Sequence, residues 1–480
     1  MRSSPHQTPL FFHLNQGAWD TCKQSFMNLK PMPFATYSFV TPSRPSSGRS
    51  GAQRTSLLLC GVLLAGLLAG CQSSPVRLMP TPVSFKNGDV DPFAKLGPEL
   101  QSTDVPVFYA TNRLVVIEKP EPLHTIIPTD DLRLGVAHVR VGDDKLDWET
   151  LHRLSTSAEP GERPIVHLES LEQIAVLKSD EAVGKSPDAK EFFAMVNKAL
   201  AASPNTELLV YVHGSNNTVP RAAAQASQFR HFTGRRMVVL SFMWPSAGNI
   251  LRYLTDVNNA AKTVDPFTRL IELLAENTNA SKIDVLAYSA GAQVSSPSLA
   301  RLGVARPGES RDALRARLRL GQIYFAAPDI DTRLFVNDLG AYIDIADRVS
   351  VAANLNDSVL RFAAVVGRAS RAGRPNLTEL STEQSKFLVD ASQKLRVDLI
   401  KVDPNDIPDL PQSSHDFWYD DPWVSGDLLA QFLLNAAPLR RGLDPQNTDT
   451  GARYWTFPVD FSERVYRLLG APSPALRSSR

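Results

Sequence analysis

The stretch Ile283-Asp-Val-Leu-Ala-Tyr-Ser-Ala-Gly291 decides the fold of this 480-residue chain. Its first five residues are mostly apolar and β-branched, as in a buried strand, and small residues then surround Ser289. The residues after Gly291 can form a helix, although Pro297 interrupts that pattern. A strand that turns through small residues into a helix exposes a serine hydroxyl above the sheet, where a base can reach it. Ser289 is therefore a candidate nucleophile, and an ordinary strand-to-helix turn is the alternative.

A serine nucleophile needs a histidine base, and in this type of turn the base follows the serine in the chain. The chain has 9 histidines, of which His415 alone lies beyond Ser289. A carboxylate must orient the base, and Asp357 lies just past the end of a predicted strand, where such residues gather. Two other candidates for the acid follow an earlier predicted strand: Asp329 and Asp331.

Acyl transfer creates a negatively charged oxygen, which backbone N–H groups stabilise. Ala290 follows the nucleophile and supplies one such group, and the second is expected from Ser215 or Asn216 in the loop after the first core strand. His213 precedes the nucleophile, so a structural role in shaping that loop is expected of it. Two aromatic residues are candidates for the substrate pocket: Trp244 and Tyr288. For the tryptophan, packing that braces the loop is the alternative.

From residue 206 onward, strand and helix patterns alternate, which predicts an α/β fold with a mostly parallel central sheet flanked by helices. The predicted strands are Glu207–His213, Met237–Phe242, Ile283–Ala287, Leu320–Ala326, Val349–Asn354 and Leu395–Val402. The predicted helices are Ala189–Ala201, Pro220–Phe232, Pro266–Glu276 and Gln293–Leu302. Two earlier strands, Val105–Arg113 and Leu132–Val141, predict a β-rich N-terminal extension.

The front of the chain has the pattern of a secretory signal. Arg54 precedes the apolar run Leu57–Ala69, which is too short to span a bilayer comfortably. The run ends in Leu68-Ala-Gly-Cys71, which resembles the lipobox of bacterial lipoproteins. That resemblance implies cleavage before Cys71 and its acylation with fatty acids such as palmitate, and Gln72 then implies an outer-membrane anchor facing the periplasm. A plain secretory signal is the alternative.

These patterns divide the chain into five predicted parts. A leader covers 1–71, of which 1–53 are too long for a usual basic region and indicate a misassigned start codon. The other four are a flexible tether at 72–103, the N-terminal extension packed on the core at 104–203, the catalytic domain at 204–470 and a tail at 471–480. Within the catalytic domain, Ser370–Asn376 is expected to be a surface loop.

Composition excludes several functions. A net charge of +1 gives no reason to expect a nucleic-acid partner. Of the 3 cysteines, Cys22 and Cys60 precede the expected cleavage and Cys71 would be acylated, so thiol catalysis and thiolate metal sites are excluded. The histidines ahead of Ser289 have no metal-ligand spacing. Neither a metal nor a cofactor is expected.

Several motifs together resemble one family, the bacterial esterase/lipase-like α/β-hydrolases of uncharacterised function. The motifs are Phe-Tyr-Ala-Thr-Asn-Arg at 108–113, His-Gly-x-Asn-Asn at 213–217, Trp-Pro-Ser at 244–246, Ala-Tyr-Ser-Ala-Gly at 287–291, Ala-Pro-Asp-Ile-Asp at 327–331, Asn-Asp-x-x-Leu at 356–360, His415 and Asp427-Leu428. The resemblance extends from about Val105 to about Leu434. The usual elbow of that family is closer to His-Ser-Met-Gly, so Tyr288 and Ala290 depart from it, which bears on the shape of the acyl pocket.

The resemblance implies a serine hydrolase that cleaves a small-molecule or lipid ester and contacts the membrane through lipidated Cys71. Two other functions remain open. The fold could serve as a catalytically inactive scaffold in the cell envelope, because a fold alone does not fix an activity. The same three residues could also cleave amides. The sequence indicates no particular protein partner.

Overall fold

A computed structural model describes residues 75–86, 90–117, 122–159, 161–394 and 396–470. The leader with its signal and Cys71, and the predicted tail at 471–480, lie outside these residues. In the described part of the chain no helix combines the length and apolar character needed to cross a membrane.

The described strands form one 11-stranded sheet in the order β10-β11-β9-β8-β7-β6-β4-β5-β1-β2-β3. Strands β4 to β9, together with β1 and β11, run parallel to their core neighbours, whereas β2, β3 and β10 pair in antiparallel fashion. The strands are β1 Val107–Ile117, β2 Leu123–Val141, β3 Val166–Leu177, β4 Glu207–Val212, β5 Val238–Phe242, β6 Lys282–Tyr288, β7 Leu320–Ala326, β8 Arg348–Ala353, β9 Val397–Lys401, β10 Asp444–Asn447 and β11 Arg453–Thr456.

Helices connect these strands and cover both faces of the sheet. They are α1 Trp148–Thr156, α2 Pro187–Ala202, α3 Val219–Phe232, α4 Tyr253–Asn277, α5 Gly291–Leu302, α6 Arg311–Leu318, α7 Thr332–Tyr342, α8 Ser358–Gly367, α9 Thr382–Lys394, α10 Phe417–Asp420, α11 Pro422–Leu434 and α12 Phe461–Gly470. The helices α2, α4, α5, α6 and α7 pack on one face, and α3, α11 and α12 pack on the other.

The central strand β4 shows why the sheet is buried on both sides. Leu208 and Val210 belong to the apolar cluster on one face, and Leu209 and Tyr211 belong to the cluster on the other. Successive side chains of a strand point to opposite faces, so a strand covered by helices on both sides must be apolar throughout. All six residues of β4 are buried.

The predicted fold is confirmed: the central sheet is mostly parallel, helices flank it, and the N-terminal region is rich in strands. Each predicted core strand is present, with ends that differ by two residues or fewer. The N-terminal extension joins the core, because β1 pairs in parallel with β5 and continues the same sheet. It therefore forms part of the same sheet as the core strands.

Two expectations about loops are wrong. Residues 75–86 and 90–103, expected as part of a flexible tether, include buried side chains: Leu78, Met79, Val83, Phe85 and Phe93. Prolines and polar residues interrupt the apolar positions of this segment, so its sequence shows no periodicity that would predict packing against the core. The segment Ser370–Asn376 is not wholly at the surface either, because Arg371 is only 7% exposed and its guanidinium reaches an internal carboxylate.

The helix predicted at Pro266–Glu276 is longer than expected, since α4 begins at Tyr253 and continues through Pro266. Its first half is polar and shows no clear apolar period. Buried polar contacts take the place of apolar packing there: Asp256 is 1% exposed and Asn259 is 6% exposed. Both side chains hydrogen-bond to loops at the edge of the sheet where the parallel strands end, which is called the carboxyl edge below.

Candidate active site

The turn between β6 and α5 holds Ser289 in a strained backbone conformation. Its φ is +50°, a region that residues with a Cβ seldom adopt and that costs about 1 kcal/mol or more. Two backbone hydrogen bonds to the β7 side hold it in place. The Ser289 N–H donates to the Ala326 carbonyl at 2.9 Å, and the Asp329 N–H donates to the Ser289 carbonyl at 3.0 Å.

Small residues are required on both sides of this turn. A Cβ on Gly291 would lie 2.5 Å from the carbonyl oxygen of Val212, so α5 could not approach β4 as closely with any other residue. A Cβ on Gly214 would lie 2.9 Å from the Cβ of Ser289. The loop after β4 and the serine turn therefore pack directly against each other.

The structure brings Ser289, His415 and Asp357 into one hydrogen-bonded series. The Oγ of Ser289 lies 2.9 Å from Nε2 of His415, and Nδ1 of the same ring lies 2.6 Å from Oδ2 of Asp357. A neutral imidazole with its proton on Nδ1 donates to the carboxylate and accepts the serine proton at Nε2. The three residues follow β6, β9 and β8, so the carboxyl edge of the sheet assembles them.

Asp357 is held from two sides. It is fully buried, and its Oδ1 accepts the Leu360 N–H at 2.9 Å as the cap of α8. Its other carboxylate oxygen is thereby left to face the imidazole. A capping aspartate at a helix start is already favoured by the unpaired N–H groups there. The helix α8 thus fixes the carboxylate that contacts His415.

The pKa of His415 is raised above its ordinary value of 6.5. Burial acts to lower it, but the charge of Asp357 and the hydrogen bond to it outweigh that effect. The protonated imidazolium is accordingly stabilised in this environment. Stabilisation of the imidazolium is useful to a base that must hold a proton during a reaction.

The two alternative acids have other partners. Asp329 is buried, its Oδ2 accepts the Tyr253 hydroxyl at 2.7 Å, and its Oδ1 lies 3.1 Å from Nε of Arg371. Asp331 caps α7 by accepting the Arg333 N–H at 2.8 Å. The carboxylate that contacts His415 is therefore Asp357, and not Asp329 or Asp331.

The loop that carries His415 is fixed by neighbours on both sides. Asn354 donates a side-chain hydrogen bond to the Ser414 carbonyl at 2.8 Å, directly before the histidine. Tyr288 lies with its ring centroid 5.3 Å from the imidazole, and its hydroxyl donates to Asp416. Only 5% exposed, Tyr288 supports the histidine and offers little surface to a substrate.

The candidate oxyanion donors differ in whether their backbone N–H groups already donate a hydrogen bond within the protein. Among the described residues, the N–H groups of Ala290 and Ser215 have no hydrogen-bond acceptor. The Asn216 N–H, by contrast, donates to Oδ2 of Asp256 at 3.0 Å. The expectation that Asn216 could supply the second donor is therefore wrong, and Ser215 is the candidate that remains.

A buried polar network supports the loop that contains Ser215. The Asp256 carboxylate also accepts the Ser246 hydroxyl at 2.8 Å and the Ala247 N–H at 2.6 Å. On the other side, Arg113 is 3% exposed and donates to the carbonyls of Trp244 and Ser246 at 2.7 and 3.1 Å. Burial lowers the pKa of Arg113 to about 10, so it stays charged at neutral pH.

Trp244 does not line a pocket, because it is fully buried. Its indole stacks on His213 with ring centroids 5.2 Å apart, and its Nε1–H donates to the His213 carbonyl at 2.7 Å. Burial lowers the pKa of His213 to about 3, so the stacked imidazole is neutral. The pair braces the loop after β4, which is the structural role expected of His213 and the alternative considered for Trp244.

Comparison with known proteins agrees with this fold. Residues 188–416, somewhat under half of the chain, match the model of a family described as alpha/beta hydrolase of unknown function (DUF900). No curated protein and no solved structure matches the chain. The match supports an α/β-hydrolase family of uncharacterised function and, with it, hydrolase activity in general. It ends at Asp416, so it includes Ser289, Asp357 and His415.

In the described part of the chain, no group of three or more histidine, cysteine or acidic residues has the arrangement of a metal site. The polar atoms beside Ser289 are instead a hydroxyl, an imidazole, a carboxylate and two unpaired backbone N–H groups. These groups match a nucleophile, a base, an orienting acid and an oxyanion site. The arrangement is suited to acyl transfer.

Proposed function

We propose that the chain is a serine hydrolase that cleaves carboxylic esters through an acyl-enzyme intermediate. The observation that carries the proposal is the pair of contacts from His415, 2.9 Å to the Ser289 hydroxyl and 2.6 Å to the Asp357 carboxylate. Contacts of this length allow a proton to pass from the hydroxyl to the imidazole as the hydroxyl attacks.

The proposed reaction has two halves. In the first, Oγ of Ser289 bonds to the ester carbonyl carbon while Nε2 of His415 takes the hydroxyl proton. The carbonyl oxygen becomes an oxyanion, which the N–H groups of Ala290 and Ser215 stabilise. The carbon–oxygen bond to the alcohol then breaks, and His415 returns the proton to the departing alcohol. In the second half, a water oxygen bonds to the acyl carbon while His415 takes a proton from the water. The bond between that carbon and Oγ of Ser289 then breaks, His415 returns the proton to Oγ, and the carboxylic acid leaves.

The test uses a fluorescent fluorophosphonate, which reacts with activated serines, on the full-length chain. We expect rapid labelling, and digestion should place the label on the peptide that contains Ser289. Turnover of matched ester and amide substrates then distinguishes an esterase from an amidase. A folded protein that takes no label would favour the non-catalytic scaffold and exclude the proposed activity.

The activity should depend on pH through His415. Only the neutral imidazole accepts the serine proton, so kcat/KM should rise with pH and level off once the histidine is deprotonated. Because its pKa is raised, the midpoint should lie above the ordinary histidine value of 6.5. Initial rates with a neutral ester measure this midpoint. A profile that stays flat from about pH 5 to 8 would show that His415 is not the base.

Lipid anchoring through Cys71 is a second part of the proposal. Packing of the chain begins soon after this residue, since the Val76 carbonyl accepts the Val166 N–H at 2.8 Å. The five residues from Cys71 to Val76 span at most about 18 Å. An acylated Cys71 would therefore hold the domain close to the periplasmic face of the bilayer. The mass of the N-terminal peptide from the native protein tests this. An unmodified peptide that runs through Cys71 would contradict it.

A further inference from the structure

The helix α8 has an unusual surface. It begins directly after Asp357, and its sequence SVLRFAAVVG contains a single charged residue. Only Leu360 and Ala363 are buried, whereas Phe362 is 53% exposed and Val365 is 75% exposed. A surface helix ordinarily presents polar side chains to water and keeps its apolar stripe for the core. Apolar side chains of α8 therefore face outward as well as inward.

A second apolar element lies beside α8. Leu251, just before α4, is 82% exposed, and Leu254 in its first turn is 63% exposed. The ring of Tyr253, between them in sequence, lies 6.3 Å from the ring of Phe362, measured between centroids. The two elements are thus neighbours. The four exposed side chains are called the apolar rim: Leu251, Leu254, Phe362 and Val365.

Tyr253, which precedes Leu254 and lies beside the ring of Phe362, connects the elements of the apolar rim to the backbone of the nucleophile. The Tyr253 hydroxyl donates a hydrogen bond to Oδ2 of Asp329, and the Asp329 N–H donates to the Ser289 carbonyl. On the other side, Phe362 lies five residues after Asp357 on the same helix, a rise of about 7.5 Å. The helix α4 begins after β5 and α8 begins after β8, so both elements of the apolar rim start at the carboxyl edge of the sheet, where Ser289, His415 and Asp357 also lie.

We propose that the apolar rim binds the acyl chain of the ester, so that the substrates are lipid-like esters with long acyl chains. This inference rests on the proposed esterase function and names its substrate class. Contiguous exposed apolar side chains mark binding surfaces in soluble proteins. The rim and the serine that would bond to the acyl carbon lie at the same edge of the sheet, and an acyl chain continues from that carbon.

The size of the apolar rim fits a small occupant better than a protein. A stable interface between two chains takes roughly 20 to 30 residues from each side. The rim offers four side chains, which suffices to cover part of a hydrocarbon chain but not to hold a second copy of this protein. A partner protein would have to find most of its contacts elsewhere.

The test compares nitrophenyl esters from acetate to dodecanoate as substrates of the full-length chain. Phe362→Ser and Leu254→Ser each remove one apolar side chain from the rim. Both side chains are more than half exposed, so the fold should tolerate the changes. Each should lower the ratio of kcat/KM for dodecanoate to that for acetate by roughly tenfold, because contacts with several methylenes are lost. Val304→Ser is the matched control. Val304 is 71% exposed, like the rim residues. It follows the last residue of α5, a helix that begins beside Ser289, and therefore lies at the end of that helix away from the site.

Each outcome decides the inference. A ratio that is unchanged in both rim variants, or that falls equally in Val304→Ser, would overturn it. Equal losses on acetate and dodecanoate would show that Phe362 acts through the position of Asp357 and not on the acyl chain. A change of oligomeric state with an unchanged ratio would assign the rim to a second copy of the chain.

A binding measurement separates this inference from the esterase proposal. Calorimetric titration with dodecanoate, the free acid, needs no turnover. If the wild type cleaves no ester but binds the acid, and Phe362→Ser weakens that binding, then the rim binds acyl chains, but the esterase proposal and the assignment of ester substrates fail. If the wild type cleaves acetate and dodecanoate esters equally well, the esterase proposal holds and the rim inference fails.

Discussion

Ser289→Ala is expected to lower ester turnover by about 10⁵-fold or more and to abolish labelling by a fluorophosphonate. The Ser289 hydroxyl is the group that Nε2 of His415 contacts at 2.9 Å. Alanine removes the hydroxyl and leaves the base with no oxygen to activate. The backbone hydrogen bonds of the turn do not involve the side chain, so the fold should persist. Steady-state rates and gel fluorescence measure the two effects.

Ser281→Ala is the matched control for this variant. Ser281 lies one residue before β6 begins, at the opposite end of the strand that leads to Ser289, and its hydroxyl donates to the Asn205 carbonyl at 3.1 Å. It should keep full turnover and full labelling. If Ser289→Ala retained more than a trace of activity while its thermal unfolding matched that of the wild type, the nucleophile would have to be sought elsewhere.

Asp357→Asn should lower kcat by about 10⁴-fold while leaving the protein folded. Asparagine can still cap α8, since its side-chain oxygen can accept the Leu360 N–H. The remaining amide N–H₂ would then face Nδ1 of His415, which favours the tautomer with its proton on Nε2. That tautomer cannot accept the serine proton. Loss of the carboxylate also removes what raises the pKa of His415, so the midpoint of the pH profile should move to lower pH.

Asp331→Asn provides the comparison for this second variant. Asp331 also caps a helix after a core strand, and its side chain accepts the Arg333 N–H at 2.8 Å. Its substitution should change kcat by less than about twofold, because its carboxylate contacts Arg333 and not His415, and asparagine can keep the helix cap. Should Asp357→Asn keep most of its activity, the buried carboxylate of Asp329 would have to orient the histidine in its place.

The fold could be predicted from sequence because its core strands have a strong signal. A strand such as β4, with Leu208, Val210 and Val212 on one face and Leu209 and Tyr211 on the other, is a continuous apolar run. The strands at the edges of the sheet were harder to predict from the sequence. The strand β10 has the sequence DPQN and its residues are mostly exposed, so it carries no apolar pattern. The position of β10 in the sheet depends on its pairing with β11. Such pairing is a contact between two segments and cannot be read from the sequence of either segment alone.

Much of the candidate site was also predictable, for a related reason. Parallel strands end at one edge, so the residues that follow β6, β8 and β9 had to come near one another. The distinction between Asp357 and Asp329 was not predictable, because both follow core strands. It depends on Tyr253 and Arg371, which contact Asp329 and come from parts of the sequence with no distinctive pattern.

The contacts that support the loop of Ser215, the candidate second oxyanion donor, could not be derived from the spacing of residues in the sequence. Arg113 lies in a strand far ahead of the loop, and nothing in its neighbourhood indicates that its guanidinium is buried against the carbonyls of Trp244 and Ser246. The motif at 108–113 indicates a family resemblance but not the buried position of this guanidinium. Buried polar networks depend on three-dimensional geometry that hydrophobic periodicity does not record.

The spacing of the three site residues along the chain makes activity a reporter of folding. Ser289 and His415 are 126 residues apart, and His415 and Asp357 are 58 apart. No local segment contains two of them, so the hydrogen-bonded series closes only after β6, β8 and β9 have paired across β7. Contacts that span such long stretches of chain form late, because the entropy of the intervening loops opposes them. A partly folded chain would contain the serine but not its base, and the proposed catalysis would appear only after these four strands have paired.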